Sequence, residues 1–187
     1  MIQATSTPQL LEYTDSLLAQ MDAVVMGHCA LADGPFSNFV GPHVRHILEH
    51  YETLAVQIEL AGNSANAPVL DYDARARDQR VQSDPAFARK RIAQLRTSLK
   101  ILALWPDAAF VKALHVRARG GLQGDFCMEA PSTWLRELMF LASHSVHHFA
   151  VVKMQALQLG TDLGTHFGKA PATVSYESRT QSLAAVR

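Results

Sequence analysis

Apolar residues recur in alternating steps of four and three through residues 40–58, and this pattern constrains the fold more than any other feature. The series is Val40, Val44, Ile47, Tyr51, Leu54 and Ile58. Residues three or four apart share one face of an α-helix, so the series predicts a helix whose apolar stripe packs against other helices. The helix is expected to end at Ala61-Gly62-Asn63.

Three further segments have the same helical period. Thr7-Pro8 is typical of a helix start and opens a predicted helix over residues 8–31. Asp84-Pro85 opens another helix, which Trp105-Pro106 ends. Pro131-Ser132 opens the last one, which runs to Gly160.

The connections between these helices differ in character. Residues 63–82 are polar and irregular, and a loop of this length inside a compact domain is often functional. Residues 108–128 contain Gly120-Gly121 and Gly124 and predict a short β-hairpin. We therefore predict an all-α fold, an antiparallel four-helix bundle with one long connection and a short β-hairpin insertion before helix four.

The size and charge of the chain limit its organisation and its partners. A length of 187 residues suits one domain, with a core over about residues 8–160 and an irregular C-terminal extension over 161–187. The formal net charge of zero argues against a nucleic-acid footprint and against electrostatic docking on acidic membranes. The apolar residues Val151, Met154 and Leu157 widen the apolar arc of helix four and predict a homodimer.

The chain shows no export signal. The N-terminus lacks a basic region followed by an apolar one, and no run reaches about 18 apolar residues. Cys29 and Cys127 have no motif spacing, so a disulfide scaffold is not indicated. These observations predict a cytoplasmic protein.

Six of the nine histidines lie in two short segments, HVRHILEH and HSVHH. His144 and His148 are one helical turn apart, so their imidazoles can converge on one metal ion, whereas His147 points about 100° away from His148. His43, His46 and His50 lie within about 60° of one another on the second helix. A third ligand from that helix would complete a three-histidine site with an open position, as catalytic ions require.

Two motifs, His46-Ile47-Leu48-Glu49 and HSVHHFA, resemble the DinB-like family of bacterial four-helix proteins. The resemblance covers roughly residues 8–160 and implies the metal ligands His46, His144 and His148. It also implies a divalent ion, zinc or nickel most often. The helical wheel places His43 and His50 nearer the centre of the apolar seam than His46, so either of them is an alternative third ligand.

The resemblance implies a metal-dependent enzyme, most concretely a thiol-dependent S-transferase acting on a small-molecule substrate. In that reaction a low-molecular-weight thiol attacks an electrophile as a thiolate. Two alternatives stay open, a metal-dependent hydrolase and a non-enzymatic, stress-related metal-binding protein. A cleft-facing open coordination position would favour an enzyme, and a fourth protein ligand would favour the binding protein.

Several other polar residues are weaker candidates. Glu137 is either an acceptor that orients an imidazole, or a solvated or helix-start acid, and Glu49 is expected to be exposed. Asp71 and Asp73 are either acid–base groups or acids that stabilise the loop. A second site formed by His115 and Cys127 across the hairpin is a further hypothesis.

Overall fold

The computed structural model describes residues 7–29, 36–61 and 67–185. Within these ranges the chain forms seven α-helices and three β-strands. The helices are α1 (Thr7–Cys29), α2 (Gly41–Ala61), α3 (Gln79–Ser83), α4 (Pro85–Leu102), α5 (Asp107–Phe110), α6 (Trp134–Gln158) and α7 (Pro171–Ala185). The strands are β1 (Val69–Asp71), β2 (Ala113–Gly120) and β3 (Phe126–Thr133). A π-helical turn, Phe36–Val40, leads into α2, and a 3₁₀ turn, Tyr72–Ala74, follows β1.

The four predicted helices correspond to α1, α2, α4 and α6. All six residues of the α2 seam are buried, as the period predicted. Helix α4 begins where its sequence signal lies, because Asp84 Oδ1 accepts a hydrogen bond from Phe87 N at 3.0 Å and so caps the first turn. Helices α1 and α2 both contact α4. The bidentate pair of Arg96 with Asp15, 2.7 Å at its shortest, joins α1 to α4.

The prediction of an all-α four-helix bundle is wrong, because the chain also contains a three-stranded mixed sheet of order β1-β2-β3. Strands β2 and β3 form the predicted hairpin, with eight residues each. Strand β1 adds to it in parallel, from Val69 opposite His115 to Asp71 opposite Arg117. Three residues are too few to show strand alternation in the sequence. This strand exists because β2, far along the chain, supplies its hydrogen-bond partners.

Contacts divide the chain into two compact units, Met1–Ala142 and Ser143–Arg187, with the boundary inside α6. The first unit holds α1 to α5, the sheet and the first part of α6. The second holds the rest of α6 and the C-terminal segment. A single domain over residues 1–187 therefore stays a prediction, as does the homodimer.

The C-terminal segment is fastened to α6 within the second unit. The Phe167 ring stacks on Phe149 at a centroid distance of 4.8 Å, and Lys153 Nζ donates to the Gly164 carbonyl oxygen at 2.6 Å. Gly168 has a φ of 71°, and a Cβ there would lie 2.6 Å from Ala150 N, so this close approach requires glycine.

The prediction that residues 161–187 are irregular is wrong for α7. Its sequence, PATVSYESRTQSLAA, contains few large apolar residues. The described side chains of α7 are accordingly not buried. Periodicity could not reveal this helix because it has no apolar stripe. Among the described residues no helix is both long and apolar enough to cross a bilayer.

Gly41→Ala is expected to lower the free energy of unfolding by about 1–3 kcal/mol, the usual effect of overpacking. A Cβ at position 41 would lie 2.0 Å from the carbonyl oxygen of Gln82 in α3 and 2.9 Å from that of Phe36. Both obstacles are backbone atoms, which cannot rotate away. Urea denaturation measures the change.

Gly27→Ala is the matched control, since no described atom lies within 4 Å of the Cβ it would add to α1. Removing a glycine from a helix is expected to raise stability by up to about 1 kcal/mol. Equal stability of the two variants would show that the backbone of α3 does not exclude a side chain at position 41.

Candidate metal centre

Three histidines converge in the structure. One imidazole nitrogen each of His46, His50 and His144 lies within 4.8 Å of the other two. Metal–nitrogen bonds of about 2.0–2.1 Å in tetrahedral geometry place ligand nitrogens about 3.3 Å apart. The group is therefore at most about 1.5 Å wider than an occupied site requires, a gap within the range of side-chain rotation.

Helix α2 supplies two of these residues because His46 and His50 are one turn apart, with ring centroids separated by 4.2 Å. His50 Nδ1 lies 2.6 Å from the His46 carbonyl oxygen, so Nδ1–H donates to it. This bond assigns the His50 tautomer that carries its proton on Nδ1, so Nε2 is the nitrogen available to a metal ion. In many metal sites a ligand histidine donates its other ring N–H to a backbone carbonyl in the same way. His50 is buried, and His46 and His144 are half-buried.

The structure brings together two of the three predicted ligands, His46 and His144. The third predicted ligand, His148, is not in the converging group, and its ring centroid lies 4.5 Å from that of His144. His50 takes the third place, which agrees with its position near the centre of the α2 seam. Ligation by His148 stays a prediction.

Tyr72 is a neighbour of the centre that the sequence did not reveal. Its ring stacks on His50 at a centroid distance of 5.2 Å, and its hydroxyl donates to Glu137 Oε2 at 3.0 Å. Burial, and then the negative charge of Glu137, raises the pKa of the Tyr72 phenol, which therefore stays protonated as the donor. The predicted long loop thus brings a tyrosine against one of the three histidines, and the aromatic residue in its DYD stretch was the only local signal.

Glu137 is fully buried, so its interpretation as a solvated acid is wrong. It accepts hydrogen bonds from Ser132 Oγ at 2.5 Å and Arg136 Nη1 at 2.7 Å, besides that from Tyr72. None of its partners among the described residues is a histidine. Glu137 is therefore linked to His50 through Tyr72, whose hydroxyl donates to it and whose ring packs against His50.

Glu49 is also buried, with 1% of its surface exposed, so the prediction that it is exposed is wrong. Its Oε1 accepts a hydrogen bond from Asp78 N at 2.6 Å. The prediction of exposure rested on the helical wheel, which places Glu49 about 100° from His50. However, α3 and the residue before it cover a second side of α2.

Asp71 and Asp73 stabilise the loop rather than face the histidines. Asp71 Oδ1 accepts from Asp73 N at 2.9 Å, and Asp73 Oδ2 accepts from Arg119 N at 2.8 Å. The second-site hypothesis also fails, because Cys127 lies opposite Arg119 in the hairpin register. Arg119 lies four positions along the strand from His115, a distance of roughly 13 Å.

Comparisons with known proteins give one weak likeness. No family model and no solved structure matches the chain. A curated protein named FK506-binding protein 5, from Rhizopus delemar, is 26% identical over 134 residues, which are 71% of this chain and 34% of that protein. The chain thus spans about a third of the length of this relative, and the identity is too low to show a family.

Proposed function

We propose that the protein is a metal-dependent enzyme of the DinB-like kind, with one zinc or nickel ion held by three histidines. The observation that carries the proposal is the convergence of His46, His50 and His144. A divalent ion fits this set, because zinc and nickel both favour neutral imidazole nitrogens. The resemblance of the two histidine motifs to DinB-like proteins supports it independently.

The residues around the site hold one of the three histidines in a fixed orientation. The carbonyl of His46 fixes the His50 tautomer, and Tyr72, held by Glu137, fixes the plane of the His50 ring. Three neutral imidazoles leave the charge of a bound divalent ion uncompensated. When bound, the ion would lower the pKa of a thiol or a water at the same site.

The reaction that we propose is thiol-dependent S-transfer. A low-molecular-weight thiol loses its proton to solvent, and its sulfur forms a bond to an electrophilic carbon of a small co-substrate. The bond from that carbon to its leaving group breaks, and the leaving group departs to solvent with the bonding electron pair. The thiol and the electrophile are the small-molecule partners. A non-enzymatic metal-binding role is the alternative. Such a protein would bind the same metal ion but would not catalyse the transfer.

The test has two parts. Gently purified protein is expected to contain, or to take up, about one zinc or nickel ion per chain by elemental analysis. The metal-loaded protein is then expected to accelerate transfer of cysteine or glutathione to 1-chloro-2,4-dinitrobenzene, in which sulfur replaces chloride. A variant with both His46→Ala and His50→Ala should lose the metal and the activity, whereas His166→Ala, at an exposed position, should keep both.

The two outcomes separate the alternatives. A protein that takes up neither metal, even when zinc or nickel is added, contradicts the whole proposal. A protein that binds the metal stoichiometrically but transfers neither thiol contradicts S-transfer and favours the binding role.

A further inference from the structure

The β2–β3 hairpin has one apolar face. Val116 pairs with Ala130, and Ala118 pairs with Met128. Because residues two apart point to the same side of a strand, all four side chains share a face. The buried Leu114 lies on that face as well, nearer the helices. The apolar face is therefore an outward continuation of the core.

The opposite face of the hairpin is polar, and charged side chains on it pair with one another. Arg117 Nη2 lies 2.9 Å from Glu129 Oε2, and His115 Nδ1 lies 3.2 Å from Glu129 Oε1. The apolar face stays partly open to solvent, since Met128 on it is 50% exposed. A contiguous apolar strip that stays open to solvent is typical of a binding surface.

This face forms one wall of a groove of about 520 Å³. The other wall is the end of β3 and the first turn of α6, with Ser132, Arg136 and Glu137. Thr133 Oγ1 accepts a hydrogen bond from Arg136 N at 3.2 Å, which caps α6 and fixes the backbone at this end. Pockets for small molecules have volumes of roughly 300–1,000 Å³ and combine apolar walls with a few polar groups.

The polar end of the groove presents a cation. The Arg136 side chain is 62% exposed, whereas the Glu137 side chain beside it is fully buried. Among the described residues, Nη1 alone of the Arg136 guanidinium nitrogens makes a hydrogen bond, to Glu137. Nε and Nη2 can therefore donate to a carboxylate, while Glu137 directs its oxygens to Tyr72, Ser132 and Arg136.

We infer that this groove binds a small amphipathic carboxylate. Its apolar body would lie along the hairpin between Ala118 and Met128, and its carboxylate would accept hydrogen bonds from Arg136. Glu137 belongs both to the groove and to the contact with Tyr72, whose ring stacks on His50. The groove and the histidine group are thus connected through these side chains, and the inference does not depend on the proposed function.

Calorimetric titration of the full chain at neutral pH tests the binding, with octanoate and its uncharged analogue octanamide as probes. Octanoate is expected to bind at least tenfold more tightly than octanamide. Arg136→Gln should remove this preference. Ala118→Trp, which fills the groove, should weaken both ligands at least tenfold. Arg119→Gln, a charge removal on the polar face of the same hairpin, should change neither affinity by more than twofold.

Equal affinity for the two probes, or a preference that survives Arg136→Gln, would overturn the inference. If Ala118→Trp does not fold, Met128→Glu replaces it, since that position is half-exposed and a carboxylate there should repel octanoate but not octanamide. Light scattering of both variants adds a further outcome. Conversion of a dimer to a monomer would show that the groove is an interface between copies, which also overturns the inference.

Measuring in the presence of a chelator separates this inference from the proposed function. The groove does not include the three converging histidines, so metal-free protein should still prefer octanoate. Loss of metal binding with retained octanoate binding contradicts the proposed function alone. Retained metal binding without octanoate binding contradicts the groove alone.

Discussion

His144→Ala and His46→Ala are each expected to abolish tight binding of zinc or nickel in a calorimetric titration. Each change removes one of three neutral imidazoles that converge within 4.8 Å. Losing a direct ligand should lower affinity by far more than the roughly 10–100-fold that is typical when only a residue supporting a ligand is lost. His147→Ala is the control, because His147 lies on the same helix but is not in the converging group.

The comparison of His50→Ala with His148→Ala decides the third ligand. The geometry of α2 and the convergence of three imidazoles favour His50, whereas the family resemblance favours His148. Loss of binding in His50→Ala with retention in His148→Ala supports the set His46, His50 and His144. The reverse result would show that the α6 pair chelates the ion and that His50 only supports it. Retention in His144→Ala would contradict both sets.

Glu137→Ala is expected to cause the largest loss of stability, about 3–5 kcal/mol in the free energy of unfolding, as when one partner of a buried charged network is removed. The carboxylate is fully buried and accepts from Tyr72, Ser132 and Arg136. Alanine would leave the buried Tyr72 hydroxyl without its acceptor and would open a cavity. Urea denaturation followed by circular dichroism measures the loss.

Two matched variants separate the acceptor role from packing. Glu137→Gln keeps the shape and one acceptor oxygen, so it should lose clearly less stability than Glu137→Ala. Tyr72→Phe removes one donor and leaves the other two, and about 1–3 kcal/mol is expected for the single lost hydrogen bond. A loss below 1 kcal/mol in Glu137→Ala would show that this network contributes little to stability.

Local signals in the sequence predicted the helices whose stabilising contacts are local or periodic. The seam of α2 and the Asp84 cap of α4 each depend on residues that are close together in the sequence, so their positions could be predicted. Strand β1 depends on a partner that is distant in the chain, and α7 lacks an apolar stripe, so neither could be inferred from a local pattern. The burial of Glu49 was missed for a related reason, because its cover comes from outside the helix.

The candidate site divides in the same way. His144 follows from its helical spacing with His148, and His46 was selected only by the family resemblance. Spacing alone left His43, His46 and His50 as alternatives, since all three lie on nearby faces of one helix. The place of Tyr72 beside the histidines could not be predicted from its neighbours in the sequence. It depends on His50 and Glu137, which contact Tyr72 only in the folded chain.

The parallel pairing of β1 with β2 also has a consequence for the order of folding. Val69 meets His115 only after the chain has passed through α3, α4 and α5, so this pairing closes a long loop. Closing long loops costs chain entropy before any contact repays it, and contacts between distant residues accordingly form late. Tyr72 follows β1 directly. We therefore expect the helices to form and pair before Tyr72 reaches His50, so that the surroundings of the histidine centre are completed late in folding.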